Sequence, residues 1–159
     1  MAFEFTPERL AQFHELLTHY PEEHARAAML PTLHLAQEQN GYLSQDVQAY
    51  VAGLLGVSEA QVLDVVTFYP MFFDAPVGKH IVRVCKTLSC DLCGCREIIE
   101  HIKERLEVDF DETTEDGSVT LLSSECLAAC DQAPVMMIND DLHGRLTLER
   151  VDELMDALE

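Results

Sequence analysis

The spacing of apolar residues changes midway along the chain. Through residue 75 it is helical. Leu10, Phe13 and Leu17 stand at i, i+3 and i+7, one face of a helix that Thr6 can cap and Pro7 can open. A second run opens at Pro21 and continues through Ala25, Ala28, Met29, Leu33 and Ala36. Asn40-Gly41 should stop it, and Pro31 should kink or split it. Ser44 can cap a third helix through Val47, Val51 and Leu54. Ser58 with Gln61 forms a capping box for a fourth through Val62, Val65 and Val66. Short helices with short loops predict a small helical bundle over residues 1–77.

Pro76 and Gly78 mark a linker across residues 74–78, and the period then shortens. Ile81, Val82 and Val84 predict a strand ending at Cys85. Ile98, Ile99, Ile102 and Leu106 predict an amphipathic helix. Asp116-Gly117 should turn into a strand over Val119–Leu122, and Val135–Ile138 should form a third. Thr147 can cap a last helix carrying Val151, Leu154 and Leu158. The order over residues 78–159 is β-α-β-β-α. A helix between the first two strands implies a right-handed crossover and parallel pairing. The last two strands are expected to form an antiparallel hairpin. The fold class is α+β: a helical bundle followed by a minimal thioredoxin-like domain.

Charge narrows the range of partners. Ten basic residues face 29 acidic ones, for a net charge of −19. Both halves are acidic, so neither offers a basic stripe for phosphates; nucleic acid and anionic membranes are disfavoured. The first ten residues contain Glu4, Glu8 and Arg9 and do not read as a signal peptide. No apolar run reaches the roughly 18 residues of a membrane span. The expectation is a cytoplasmic protein with no direct membrane insertion. Phe68-Tyr69-Pro70-Met71-Phe72-Phe73 is expected to serve core packing in preference to docking. None of the seven histidines stands at a metal spacing with a cysteine or an acid, and His34, between Leu33 and Leu35, is expected to be buried.

All six cysteines fall in the second half, as Cys85, Cys90, Cys93, Cys95, Cys126 and Cys130. In a reducing compartment such clustering points to metal or redox chemistry rather than to structural disulfides. The predicted elements put them in two loops, one after the first strand and one before the third. A 2Fe–2S cluster needs four thiolates, two on each iron. Cys85-x4-Cys90 can supply one pair and Cys126-x3-Cys130 the other. Spacing alone leaves three rivals. Cys85, Cys90 and Cys93 with one distant cysteine match a plant-type ferredoxin. Cys90, Cys93, Cys126 and Cys130 could bind zinc as a structural scaffold. Cys90-Asp91-Leu92-Cys93 could be a dithiol redox pair.

The chain also resembles a known family. Cys85-x4-Cys90 is followed by Glu125-Cys126-Leu127-Ala128-Ala129-Cys130, Ala133-Pro134 and Asn139-Asp140-Asp141. In the helical half stand His34-Leu35-Ala36-Gln37-Glu38-Gln39-Asn40-Gly41-Tyr42-Leu43 and Val65-Val66-Thr67-Phe68-Tyr69. Together these resemble the family of the peripheral 2Fe–2S subunit, the E subunit, of NADH:quinone oxidoreductase (respiratory complex I), over nearly the whole chain. The resemblance implies a thioredoxin-like 2Fe–2S ferredoxin domain behind a helical domain. It implies one 2Fe–2S cluster on Cys85, Cys90, Cys126 and Cys130. It further implies electron exchange with FMN in a neighbouring NADH-binding subunit, in the peripheral arm of a membrane-associated complex. The same module serves as a diaphorase subunit in NAD-linked hydrogenases and formate dehydrogenases. Glycine is common in the family where Ala128 stands, which implies a more constrained loop here. Cys93 and Cys95 are not family ligands.

The glycines form no G-x-G-x-x-G and no phosphate loop, so FMN and NADH are expected on the partner subunit only. The expected role is one-electron transfer without an active site of its own. The acidity should hold the potential low, offset locally by Lys86, Arg83 and Arg96.

Overall fold

The structure is a computed structural model and describes residues 3–158. It divides into two compact units, Met1–Pro76 and Val77–Glu159.

The first unit is helical. Helix α1, Pro7–Leu17, opens as its sequence dictates: the Thr6 hydroxyl accepts a hydrogen bond from the Arg9 N–H, and Pro7 takes the first position. A 3-10 stretch, Glu22–Ala28, leads into α2, Met29–Asn40. The break expected at Pro31 falls earlier, at Ala28–Met29. Pro31 is the third residue of α2, where the missing N–H has no intrahelical partner to lose. Ser44 caps α3, Gln45–Leu55, and Gly56 closes it at φ 64°. The Ser58–Gln61 capping box starts α4, Glu59–Phe68. Phe5, Phe13, Leu33, Val51, Val62 and Phe72 belong to one buried cluster.

The polar residues of the helical motif brace this unit. Gln37 donates through Nε2 to the Met71 carbonyl at 2.9 Å and accepts from the Phe73 N–H at 2.8 Å. Gln39 does the same for the N-terminal strap, accepting from Thr6 N–H and donating to the Glu4 carbonyl. The aromatic run 68–73 is divided. Phe72 is buried, as expected, whereas Phe68 is 76% exposed. His34 corrects the expectation of burial: it is exposed, its ring 4.9 Å from that of Phe72.

The second unit carries a five-stranded sheet in the order β2-β3-β1-β4-β5. Its elements are β1 (His80–Cys85), α5 (Leu88–Leu92), α6 (Cys95–Leu106), β2 (Glu112–Thr113), β3 (Val119–Ser124), β4 (Met136–Ile138), β5 (Asp141–His143) and α7 (Leu148–Asp156). The β-α-β-β-α frame is present, with α5, β2 and β5 added to it. β1 and β3 are parallel, with His80 opposite Val119 and Cys85 opposite Ser124.

The expected hairpin between the strands at 119–122 and 135–138 is not formed. β1 lies between them, and β4 runs antiparallel on its other side, Val82 facing Ile138. The connection from Ser124 to Met136 is too long for a tight hairpin turn and crosses the end of β1 instead. The hairpins that do form are β2–β3 and β4–β5. Asn139 shapes the second: at φ 52° its backbone N–H donates to the Ile81 carbonyl, and its Oδ1 accepts from the Ile81 N–H at 2.9 Å.

The core joins Val82, Val84, Leu121 and Met136 of the sheet with Ile98 and Ile102 of α6 and Val151 and Leu154 of α7. His101 on α6 meets Asp152 on α7 at 2.8 Å, and Arg105 reaches Asp152 and Asp156. Gly78 is required where the chain enters the sheet. A Cβ there would lie 2.7 Å from the Val119 carbonyl carbon, while its N–H donates to Thr120 Oγ1 at 2.6 Å.

Candidate metal centre

The parallel register of β1 and β3 sets their C-terminal ends side by side. That end of a parallel pair is where loops gather and sites form in α/β sheets. Cys85 is the last residue of β1. Cys126 lies two residues beyond the end of β3, and Cys130 begins the 3-10 turn Cys130–Gln132. Two contacts tie the loops together: Lys86 N–H donates to the Ser124 carbonyl at 3.1 Å, and Lys86 Nζ meets Glu125 at 3.0 Å.

The thiols divide by environment. Cys85, Cys90 and Cys95 are buried; Cys93, Cys126 and Cys130 are exposed. The Cys85 N–H donates to the Val135 carbonyl, pinning the end of β1 to the segment that leads into β4. Burial, followed by a thiol hydrogen bond with Cys85, pushes the Cys90 thiol up to about 11. Burial, and then the Asp91 carboxylate, raises the Cys95 thiol. Cys90 is carried on α5, a turn of helix invisible to sequence periodicity because five residues are too few to show a period. Cys93 follows that helix, and Cys95 opens α6 beside the Cys85–Cys90 pair.

On the second loop Ala128 adopts φ 55° and donates its backbone N–H to Cys126 Sγ at 3.3 Å. A left-handed alanine is strained where glycine is not, which is the constraint expected at this position. Of the cations expected to offset charge, only Lys86 joins the two loops. Arg96 is paired with Asp91 at 2.5 Å, and Arg83 is half-buried near Asp140.

Among the described residues no three Cys, His, Asp or Glu side chains converge as one metal ion would require. A two-iron core makes a different demand, two thiolates at each of two irons. The buried Cys85 and Cys90 and the Cys126–Cys130 loop suit that division, and four soft thiols suit iron–sulfur chemistry. A cavity of about 730 Å³ opens elsewhere, lined by Arg105, Glu107, Thr114, Asp116, Met155 and others. It holds no cysteine and lies toward the opposite end of β3.

The model of the thioredoxin-like 2Fe-2S ferredoxin family matches residues 13–159. The chain belongs to that family. The E subunit of NADH-quinone oxidoreductase from Rickettsia bellii (strain RML369-C) is 40% identical over 98% of this chain and 94% of its own length. The second E subunit of NADH-quinone oxidoreductase from Rhizobium meliloti (strain 1021) is 40% identical over 87% of this chain and 81% of its own. Among solved structures, a NAD+-reducing NiFe hydrogenase in the air-oxidized state matches 82% of this chain and 22% of its own chain, with TM-score 0.73 and 21% identity. That likeness speaks for the fold alone. As a member of this ferredoxin family the chain carries one 2Fe–2S cluster. Among the described residues no single helix is long and apolar enough to cross a membrane.

Proposed function

We infer that Cys85, Cys90, Cys126 and Cys130 hold the 2Fe–2S cluster and that the chain is the electron-transferring E subunit of NADH:quinone oxidoreductase. The observation that carries this reading is the parallel β1–β3 pair, which brings the loops of Cys85–Cys90 and Cys126–Cys130 to one end of the sheet. Relatives bearing the E-subunit name match along almost the whole chain.

A bound 2Fe–2S cluster accepts and releases one electron. The chain's own residues supply the rest. The four cysteines hold the irons as thiolates. The Ala128 N–H, aimed at Cys126 Sγ, withdraws charge from that sulfur and tunes the potential. Lys86, paired with Glu125, holds the two loops in register. No bond is made or broken in a substrate here. FMN and NADH are bound by a partner subunit, with which this chain exchanges electrons. The site of action is the peripheral arm of the complex, on the cytoplasmic side of the membrane. A diaphorase subunit of a hydrogenase would share this fold, but the relatives at 40% identity favour the oxidoreductase.

Anaerobically purified protein, matured beside its assembly machinery, will contain about two irons and two acid-labile sulfides per chain. Metal and sulfide analysis checks this. Stoichiometric zinc without sulfide would replace the reading by a structural scaffold.

A further inference from the structure

The helix that carries Cys90 presents an apolar face to solvent. Leu88 is 70% exposed and Leu92 is 79% exposed. They stand four residues apart on α5, so they share one side of its single turn. Cys90 lies between them in sequence and is turned inward, at 1% exposure. Cys93, exposed, follows directly. Two large aliphatic side chains stay in water beside the buried Cys90, so their burial against a partner would gain the transfer free energy that folding of the unit leaves unused.

We propose that Leu88 and Leu92 are the apolar anchors by which the FMN- and NADH-binding subunit docks over the cluster. The proposal rests on the functional reading of the chain and adds the surface through which it operates. Electron tunnelling falls off exponentially with distance, so a productive partner must cover the cluster-bearing end of the sheet. At that end α5 exposes two large aliphatic side chains, Leu88 and Leu92. The charged residues of the two ligand loops and of the start of α6 set the partner's chemistry. Asp91, Glu97, Glu125 and Asp131 outnumber Lys86 and Arg96, and both of those cations are already paired with acids of the group. The complementary surface is an apolar recess with a basic rim. Such a rim would steer an acidic chain of net charge −19 toward it before the leucines seat. Phe68 is comparably exposed, but it stands in the helical unit, which contains no cysteine.

The test compares the cluster-loaded wild-type chain with a Leu88→Gln/Leu92→Gln double variant, titrated against the flavin subunit of the same complex. The double variant should bind about tenfold more weakly or worse, as central apolar anchors do when truncated. Its EPR spectrum should be unchanged. Equal affinity of the two chains overturns the proposal. Failure of the wild-type chain to bind the flavin subunit overturns the functional reading and this surface with it. Self-association abolished by the substitutions, with flavin-subunit affinity intact, would assign the face to a second copy and overturn the proposal. If the double variant loses its cluster, maleimide labelling of Cys93 in the loaded wild-type chain decides. Cys93 adjoins Leu92 and is no ligand, so the flavin subunit should slow its labelling about tenfold, with Cys93→Ser as the blank. An unchanged labelling rate overturns the docking face.

Discussion

The two units are similar in length, and both are acidic, yet they use their motif residues in opposite ways. In the helical unit the residues that carry the family resemblance hold the fold together. Gln37 and Gln39 commit their amides to backbone groups of the loop at 71–73 and the strap at 4–6. In the sheet unit the motif is divided. Asn139 is structural, clamping the β4–β5 turn to β1, whereas the cysteines gather around the ends of β1 and β3, three of them buried in the core and Cys93, Cys126 and Cys130 exposed. A motif therefore marks a constraint, and only the chemistry of the residue says whether the constraint is packing or function.

The largest effects should come from the cysteines. Cys85→Ser, Cys90→Ser, Cys126→Ser and Cys130→Ser should each abolish or strongly alter the EPR signal of the reduced cluster, because a hydroxyl is a poor substitute for thiolate at iron. Cys93→Ser and Cys95→Ser should leave it nearly unchanged. Loss of the signal in Cys93→Ser with retention in Cys126→Ser or Cys130→Ser would reinstate the plant-type ligand set.

Much of this architecture is legible from the chain. The caps Thr6, Ser44, Ser58 and Thr147 all accept the hydrogen bonds their positions imply, because capping is a local interaction. The parallel β1–β3 pair follows from the crossover rule. The pairing of β4 does not follow, because here neighbours in sequence are not neighbours in the sheet. Only the length of the intervening loop argues against a hairpin. The short elements α5, β2 and β5 span too few residues for a period to register. At the site, spacing leaves several ligand sets open. What periodicity cannot supply is burial: that Cys95 is enclosed beside Cys85 and Cys90 while Cys93 is exposed depends on how α5 meets α6. The exposed Leu88 and Leu92 do leave a signal, a leucine pair at helical spacing around Cys90.

An intermediate effect should separate the two units. Phe13 is 2% exposed within the helical core. Phe13→Ala should lower the stability of that unit by about 3–5 kcal/mol, through lost burial and the cavity left behind. The EPR spectrum of the cluster should not respond. Denaturant unfolding followed by circular dichroism, with EPR recorded on the same samples below the transition, makes the comparison. A perturbed spectrum in the folded variant would mean that the helical core braces the metal site, and the division of labour between the units would fail.

The smallest effect probes the sheet unit away from its cysteines. Asp116 sits in the β2–β3 turn, at the opposite end of β3 from Cys126. Its Oδ1 accepts from the Thr114 hydroxyl at 2.5 Å, the Ser118 N–H at 2.9 Å and the Ser118 hydroxyl at 2.7 Å. These bonds, led by that from Thr114, hold its carboxyl down at about 2, below the ordinary 3.8. A depressed carboxylate contributes stability that is fully present above its unfolded value and is lost as pH falls through its folded one. The window therefore runs from about pH 4 down to about pH 2. Asp116→Asn keeps one acceptor oxygen but loses the charge, so it should melt slightly lower than wild type at about pH 7. The gap between the two melting temperatures should hold down to about pH 4 and close toward about pH 2, as the wild-type carboxyl takes up its proton. Taking the difference between the two chains cancels the other carboxylates, which titrate in both. Thermal melts across that range check it, and a gap independent of pH would show that the turn is held by shape rather than by charge. Cluster content should be the same in both chains at neutral pH, since the substitution touches neither ligand loop.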